Sequence, residues 1–253
     1  MSNRELSRVA FKIMYDGTNY SGWQIQNNSK SIQGIIQEAL VKLTYNIEVK
    51  LIGAGRTDTG VHAEMQVAHA DIYKRFDNHI LKEKLNSLLP NSIYISDVVD
   101  VSNDFHSRFS AINRGYKYKI SLIKNPFLNR YRYFLFKDFN PEILNLCANK
   151  IIGKKDFTFF SKNNPDTLNS ICDVTKSDWE IGKDYLEYNI EANRFLYGMV
   201  RLILGFQIDC ATGKRVHSEF DELINKKERS NQSMMIKPNG LFLTKIEYQH
   251  FSF

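Results

Sequence analysis

The sequence predicts an α+β protein built from two tandem halves, each a split β-α-β-β-α-β unit. Residues 9–101 alternate strand and helix patterns in that order, and the order returns with insertions from residue 116 onward. No low-complexity linker separates the two stretches, so the halves are expected to pack rigidly together, divided as residues 1–104 and 105–253. With 43% hydrophobic and 25% charged residues, the 253-residue chain has ample material for a core.

The elements follow in order. Residues 9–15 read as a strand ending at the turn signal Asp16-Gly17. Ser31 can cap a helix in which Ile32, Ile35, Ile36, Leu40 and Leu43 keep helical spacing. Residues 49–52 form a short strand entering a glycine-rich turn, and residues 66–73 alternate like a half-buried strand. A helical pattern over 78–89 is stopped by Pro90, and 93–101 closes the half as a strand. In the second half, residues 116–122 read as a strand, with another short one in the aromatic stretch 133–136. Residues 141–152 look helical, with Pro141 at an acceptable first-turn position. Residues 172–181 and 185–191 pair around Gly182. An apolar helix over 195–206, a polar one over 217–227 and a strand over 241–248 complete the chain. The arrangement is that of two ferredoxin-like halves with joined antiparallel sheets and a groove between them.

Composition narrows the function classes. A charge of +6 and a pI near 9.0 suit a partner made of phosphates, whose neutralisation releases counterions, although a basic protein without such a partner has the same charge. Cys147, Cys172 and Cys210 lack the spacing of a zinc knuckle or redox motif and are expected to be small buried thiols in a reducing compartment. The polar start, residues 1–8, is no secretory signal, and no apolar run reaches the roughly 18 residues of a membrane span. A cytoplasmic location is expected.

The informative stretch is Gly53-Ala54-Gly55-Arg56-Thr57-Asp58-Thr59-Gly60-Val61-His62-Ala63. Its glycines let the backbone turn sharply and approach a ligand. It is no dinucleotide fingerprint, since Asp58 stands at the third glycine's place and would repel a pyrophosphate; nor does Gly-Lys-Ser/Thr follow, as a P-loop demands. A plainer reading is a tight turn carrying a surface ion pair of Arg56 with Asp58. His62 and His69 do not share a helical face, and no cysteine or acid completes a metal set, so no metal is expected; structural or RNA contacts suit them better.

This segment resembles the catalytic segment of the TruA family of tRNA pseudouridine synthases. Further ordered blocks are similar to that family's: Tyr15-Asp16-Gly17-Thr18-Asn19-Tyr20-Ser21-Gly22-Trp23-Gln24-Ile25-Gln26, Ser31-Ile32-Gln33-Gly34, and Gln66-Val67-Ala68-His69. Phe105-His106-Ser107-Arg108-Phe109-Ser110-Ala111, Arg114-Gly115-Tyr116-Lys117-Tyr118, Phe195-Leu196-Tyr197-Gly198-Met199-Val200-Arg201 and Pro238-Asn239-Gly240-Leu241-Phe242-Leu243 continue the likeness over nearly the whole chain.

The resemblance implies isomerisation of uridine to its C-glycoside in the anticodon stem-loop of tRNA, by a homodimer that uses no cofactor. The reaction cuts the N1–sugar bond, turns the base and rejoins it through C5; nothing is oxidised and no group is lost. It needs a carboxylate to attack the nucleoside or take a proton from it, and Asp58 matches the family's nucleophile. Arg56, two residues earlier, would project to the same side in extended backbone and hold that carboxylate charged, or contact phosphate alone. Tyr116 matches the active-site tyrosine, whose ring can stack on a flipped uracil while its hydroxyl assists at C5; a lone strand tyrosine is otherwise core packing. Arg201, the one charge in 195–206, must be paired: with the catalytic carboxylate or substrate as the resemblance implies, or with some other acid. His62, Arg114 and Lys117 are candidate RNA contacts, and Lys119, Lys154-Lys155, Lys214-Arg215 and Lys226-Lys227 suit a phosphate track or a solvated face.

The chain departs from the family pattern at Lys155, often histidine; at Tyr197-Gly198, commonly His-His; and at Lys237-Pro238, usually Ala-Pro. An arginine often found near Ser170 is absent. These departures bear on RNA docking, and so on which uridines are modified. Two other readings stand beside the leading one: a synthase acting chiefly on another structured RNA, and a non-catalytic RNA-binding or RNA-folding protein.

Overall fold

A computed structural model describes residues 6–46, 48–165, 168–230 and 234–253; the first five residues of the polar N-terminal stretch lie outside the described residues. The elements are β1 (Leu6–Tyr15), α1 (Ile32–Leu43), β2 (Ile52–Gly53), β3 (His62–Tyr73), α2 (Asn78–Leu88), β4 (Ile93–Asp100), β5 (Ala111–Ser121), β6 (Tyr133–Phe134), α3 (Pro141–Ile151), β7 (Gly153–Asp156), β8 (Ile171–Ile181), β9 (Tyr185–Ala192), α4 (Met199–Ala211), α5 (Glu219–Leu223) and β10 (Leu241–Tyr248). The protein is α+β. It divides into two compact units, the described residues of Met1–Ile112 with Leu243–Phe253, and Asn113–Phe242.

In the first unit β1 lies between β4 and β3, antiparallel to both, and β2 pairs antiparallel with β3. Ser31 caps α1, accepting from Gly34 N, and Asp77 caps α2, accepting from Ile80 N; each satisfies a helix-end donor. Ile32, Ile36 and Leu40 of α1 and Leu81 and Leu85 of α2 are buried with Val9, Phe11 and Ile13 of β1. Strand β3 does not alternate as residues 66–73 predict, for positions 66–70 are all buried. The reason is tertiary: the segment after β4 covers the second face. The Ser107 backbone N–H donates to His69 Nδ1 (3.2 Å), and the Ser107 hydroxyl, 2.9 Å from the same nitrogen, donates to Ile52 O (2.6 Å).

Burial pushes the His69 pKa down to about 4, with His106 and Arg8 adding repulsion. An unfolded histidine titrates near 6.5, so between the two values the unfolded chain binds the proton that the fold refuses. Stability therefore falls as pH drops from about 6.5 to about 4. Urea midpoints measured across that window should slope steeply in the natural chain and flatten in His69→Gln; an unchanged slope would assign the effect to other groups.

In the second unit the strand order is β5-β9-β8-β7, antiparallel throughout, with β6 running parallel to β5. Of the predicted order, strand, helix, strand, strand and helix are present here as β5, α3, β8, β9 and α4, with β6, β7 and α5 as insertions; the closing strand, β10, follows in the chain, and its residues from Leu243 onward belong to the first unit. Strand β7, Gly153–Asp156, was not expected from its polar sequence. Asn140 caps α3, and Pro141 opens it. Phe160, Phe206 and Phe220 form a buried aromatic cluster with centroids 5.6 to 6.0 Å apart. Two expected helices change. The apolar one starts at Met199, not at residue 195, because Gly198 adopts φ +72°, outside the right-handed helical region. The polar one over 217–227 shrinks to Glu219–Leu223, whose Phe220 and Leu223 alone are buried. All three cysteines are buried, and the Cys147 and Cys210 thiols hydrogen-bond to each other, which lowers the Cys147 pKa.

Candidate active site

The glycine-rich segment is a loop between β2 and β3 fixed at nearly every step. Ala54 N donates to Val67 O (2.7 Å), and Gln66 Nε2 donates to Gly55 O (2.9 Å). Thr57 is buried; its hydroxyl is 2.8 Å from the Tyr15 hydroxyl, and its carbonyl accepts from Trp23 N (3.1 Å). Val61 N donates to Asp58 O (3.1 Å), closing a turn whose third residue, Gly60, has φ +76°.

The similar blocks earlier in the chain prove to be the walls of this loop. Gly22, at φ +93°, lies so close that a Cβ there would be 2.4 Å from Thr57 O. A Cβ on Gly53 would be 2.6 Å from the buried Trp23 ring, and one on Gly17 1.9 Å from Val61 O. The Gln33 side chain accepts from Ile25 N (3.0 Å) and donates to Leu51 O (2.7 Å), tying α1 to both sides. Tyr15, Trp23, Gln33 and Gln66 were not singled out as functional from sequence. Their presence in the blocks that resemble the family was the signal, and their work is positioning.

Within the loop Arg56 is exposed, Thr57 buried and Asp58 half-buried. His62 is 1% exposed: its Nδ1 accepts from Gly17 N (3.2 Å) and lies 3.1 Å from Asp16 Oδ1, so the ring pins the Asp16-Gly17 turn. No group of three His, Cys, Asp or Glu suited to a metal ion occurs among the described residues. Nor, among them, is any helix long and apolar enough to cross a membrane.

The remaining candidates lie in the second unit. Strand β5 carries Arg114, Tyr116 and Lys117, all half-buried. Tyr116 packs edge-on to Phe195, with ring centroids 5.2 Å apart. Arg114 donates to Asn193 O (2.6 Å), and Lys117 pairs with Glu187 (3.0 Å), which Arg132 also approaches (3.3 Å). Arg201 occupies the first turn of α4, half-buried, and its Nε donates to Ile236 O (2.9 Å). The neighbouring carbonyl, of Lys237, accepts from the buried Tyr118 hydroxyl (2.8 Å). Asn239 Nδ2 then holds the carbonyls of Asn129 and Arg132, both at 2.8 Å. Gly240 is needed because a Cβ would meet Lys119 O at 2.5 Å. The Pro238-Asn239-Gly240 block is thus a clasp on residues 118–132. Of the departures, Lys237 contributes its backbone to that clasp, Gly198 its left-handed turn, and Lys155 Nζ bonds Ile152 O.

The sequence model of the family described as tRNA pseudouridine synthase matches residues 12–110 and 147–249. Curated relatives named tRNA pseudouridine synthase A are similar over nearly the whole chain. That of Azobacteroides pseudotrichonymphae genomovar. CFP2 is 36% identical, covering 98% of this chain and 99% of its own. That of Bacteroides thetaiotaomicron is 38% identical, over 96% and 91%. That of Thermoanaerobacter sp. (strain X514) is 37% identical, over 96% and 100%. The match takes in the anchored loop, its walls and the Pro238-Asn239-Gly240 clasp, and on that footing this chain belongs to the family of tRNA pseudouridine synthases, which are isomerases.

Proposed function

We propose that this protein converts uridine to pseudouridine at the base of the tRNA anticodon stem and in the loop beside it, with Asp58 as the nucleophile. The observation that supports this best is the presentation of one partly exposed carboxylate on a loop whose flanking residues are anchored from β1, the Gly22-Trp23 turn and β3. A rigidly aimed carboxylate suits attack on a nucleoside held in one geometry.

The chemistry balances without a co-reactant. The N1–C1′ bond breaks, the uracil turns, and a C5–C1′ bond forms; the C5 proton departs and N1 gains one. Asp58 supplies the attacking oxygen. Arg56, two residues before it, supplies a positive charge to carboxylate or phosphate. Tyr116, braced by Phe195, offers a ring face to the base and a hydroxyl near the C5 proton. Arg201, whose Nε donates to Ile236 O, supplies positive charge to the substrate. The assembly is a homodimer acting in the cytoplasm.

Release of tritium from C5-labelled uridine in whole tRNA tests the reaction, and mapping the modified positions tests the substrate. Labelled tRNA that retains all its tritium would refute the isomerase reading; modification confined to other structured RNAs would refute the anticodon assignment. For Tyr116→Phe, turnover should fall by about 10² while tRNA affinity stays within about twofold. Single-turnover rates and filter binding separate the two, and a wild-type rate would leave the hydroxyl without a task.

A further inference from the structure

The ring of Phe109 is 75% exposed, and it packs against His106 beneath it. Rings run outward in contact from β3: buried His69 is 4.8 Å from His106, and His106 is 4.3 Å from Phe109 at 31° between planes. The backbone beneath is locked. His106 Nδ1 accepts from the N–H groups of both Arg108 and Phe109 (3.2 Å each), Ser110 N donates to His106 O (2.9 Å), and Ser110 Oγ accepts from His106 N (3.0 Å). The Arg108 guanidinium carbon lies 5.5 Å from the Phe109 centroid.

A phenyl ring so exposed gains little from burial, and single exposed apolar residues are ordinary. The fold gains little by ordering the backbone around one. An exposed ring backed by an imidazole, with a guanidinium 5.5 Å from its centroid, offers an unpaired nucleotide base an apolar ring to stack on and a cation for the adjoining phosphate. We propose that Phe109 and Arg108 form a stacking platform for an unpaired base of the RNA substrate, outside the reacting uridine's own contacts. This rests on the reading of tRNA as substrate. A protein partner would be expected to want a wider apolar face than one ring.

Phe109→Trp provides the probe, because the native Trp23 and Trp179 are both buried. In the full chain carrying also Asp58→Asn, titration with an unmodified tRNA transcript should quench the new indole. Phe109→Ala should weaken tRNA binding by about tenfold, Phe109→Trp should bind like the natural chain, and Phe109→Leu should not restore affinity. Thermal melting should be unchanged throughout. An unresponsive indole at saturating tRNA, natural affinity in Phe109→Ala, or full rescue by Leu would each overturn the platform. So would a change in sedimentation of Phe109→Ala, which would make this face a contact between copies. The isomerase reading is judged separately: quenching by tRNA together with no tritium release from the natural chain would keep the platform and refute the chemistry.

Discussion

Asp58→Asn is expected to lower tritium release from C5-labelled tRNA by at least about a thousandfold, with tRNA affinity within about threefold of the natural chain. Asparagine keeps the shape of the side chain and leaves the backbone turn from Asp58 O to Val61 N untouched. What it removes is the negative charge and the attacking oxygen. The Tyr15 and Gln66 side chains and the Trp23 backbone N–H, which anchor the loop, do not depend on that charge, so circular dichroism and melting temperature should be unchanged. Equal release from both proteins would take Asp58 out of the mechanism, whatever the likeness of its segment to the family's. Loss of binding together with release would instead make Asp58 a structural member of the loop.

Gly205→Ala is expected to destabilise the second unit by about 3 kcal/mol, read as a lower urea midpoint. The sign is not obvious from sequence. Alanine inside a helix is favoured over glycine by about 1 kcal/mol, and Gly205 lies in the middle of α4. Yet a Cβ there would stand 1.5 Å from Met234 O, and the obstacle is backbone, which cannot rotate away. The clash should outweigh the propensity. Function is affected through the same segment: pushing Met234 off α4 moves Ile236, whose carbonyl holds Arg201 Nε. Turnover should therefore fall more than tRNA affinity. A midpoint equal to or above the natural chain's would mean that the segment shifts without cost and that Arg201 does not depend on it.

Much of the fold was legible in residue patterns. Ser31 before an apolar repeat, Pro141 at a helix start and Pro90 after one all mark element ends, because capping and proline geometry act within a few residues. Strand β3 and the start of α4 were misjudged for a different reason. Whether the second face of β3 is wet depends on Ser107, 38 residues from His69, and whether Phe195 joins the helix depends on the φ that Gly198 adopts. The polar stretch around Lys154 becomes β7 only because β8 is there to pair with it.

For the site the division follows the same line. The chemical inventory is already written in the chain: a carboxylate with an arginine two residues before it, a glycine-framed loop, a tyrosine in a strand pattern and one charge in the apolar stretch 195–206. Those are properties of residue type and spacing. Long-range packing sets what each of them touches. It turned His62 inward as a pin for the Asp16-Gly17 turn, anchored Arg201 on a carbonyl 35 residues away, brought Cys147 to Cys210, and set Phe109 outward against His106. Contacts between residues far apart along the chain are selected by the packing of whole elements, and local sequence carries no record of which partner that packing will supply.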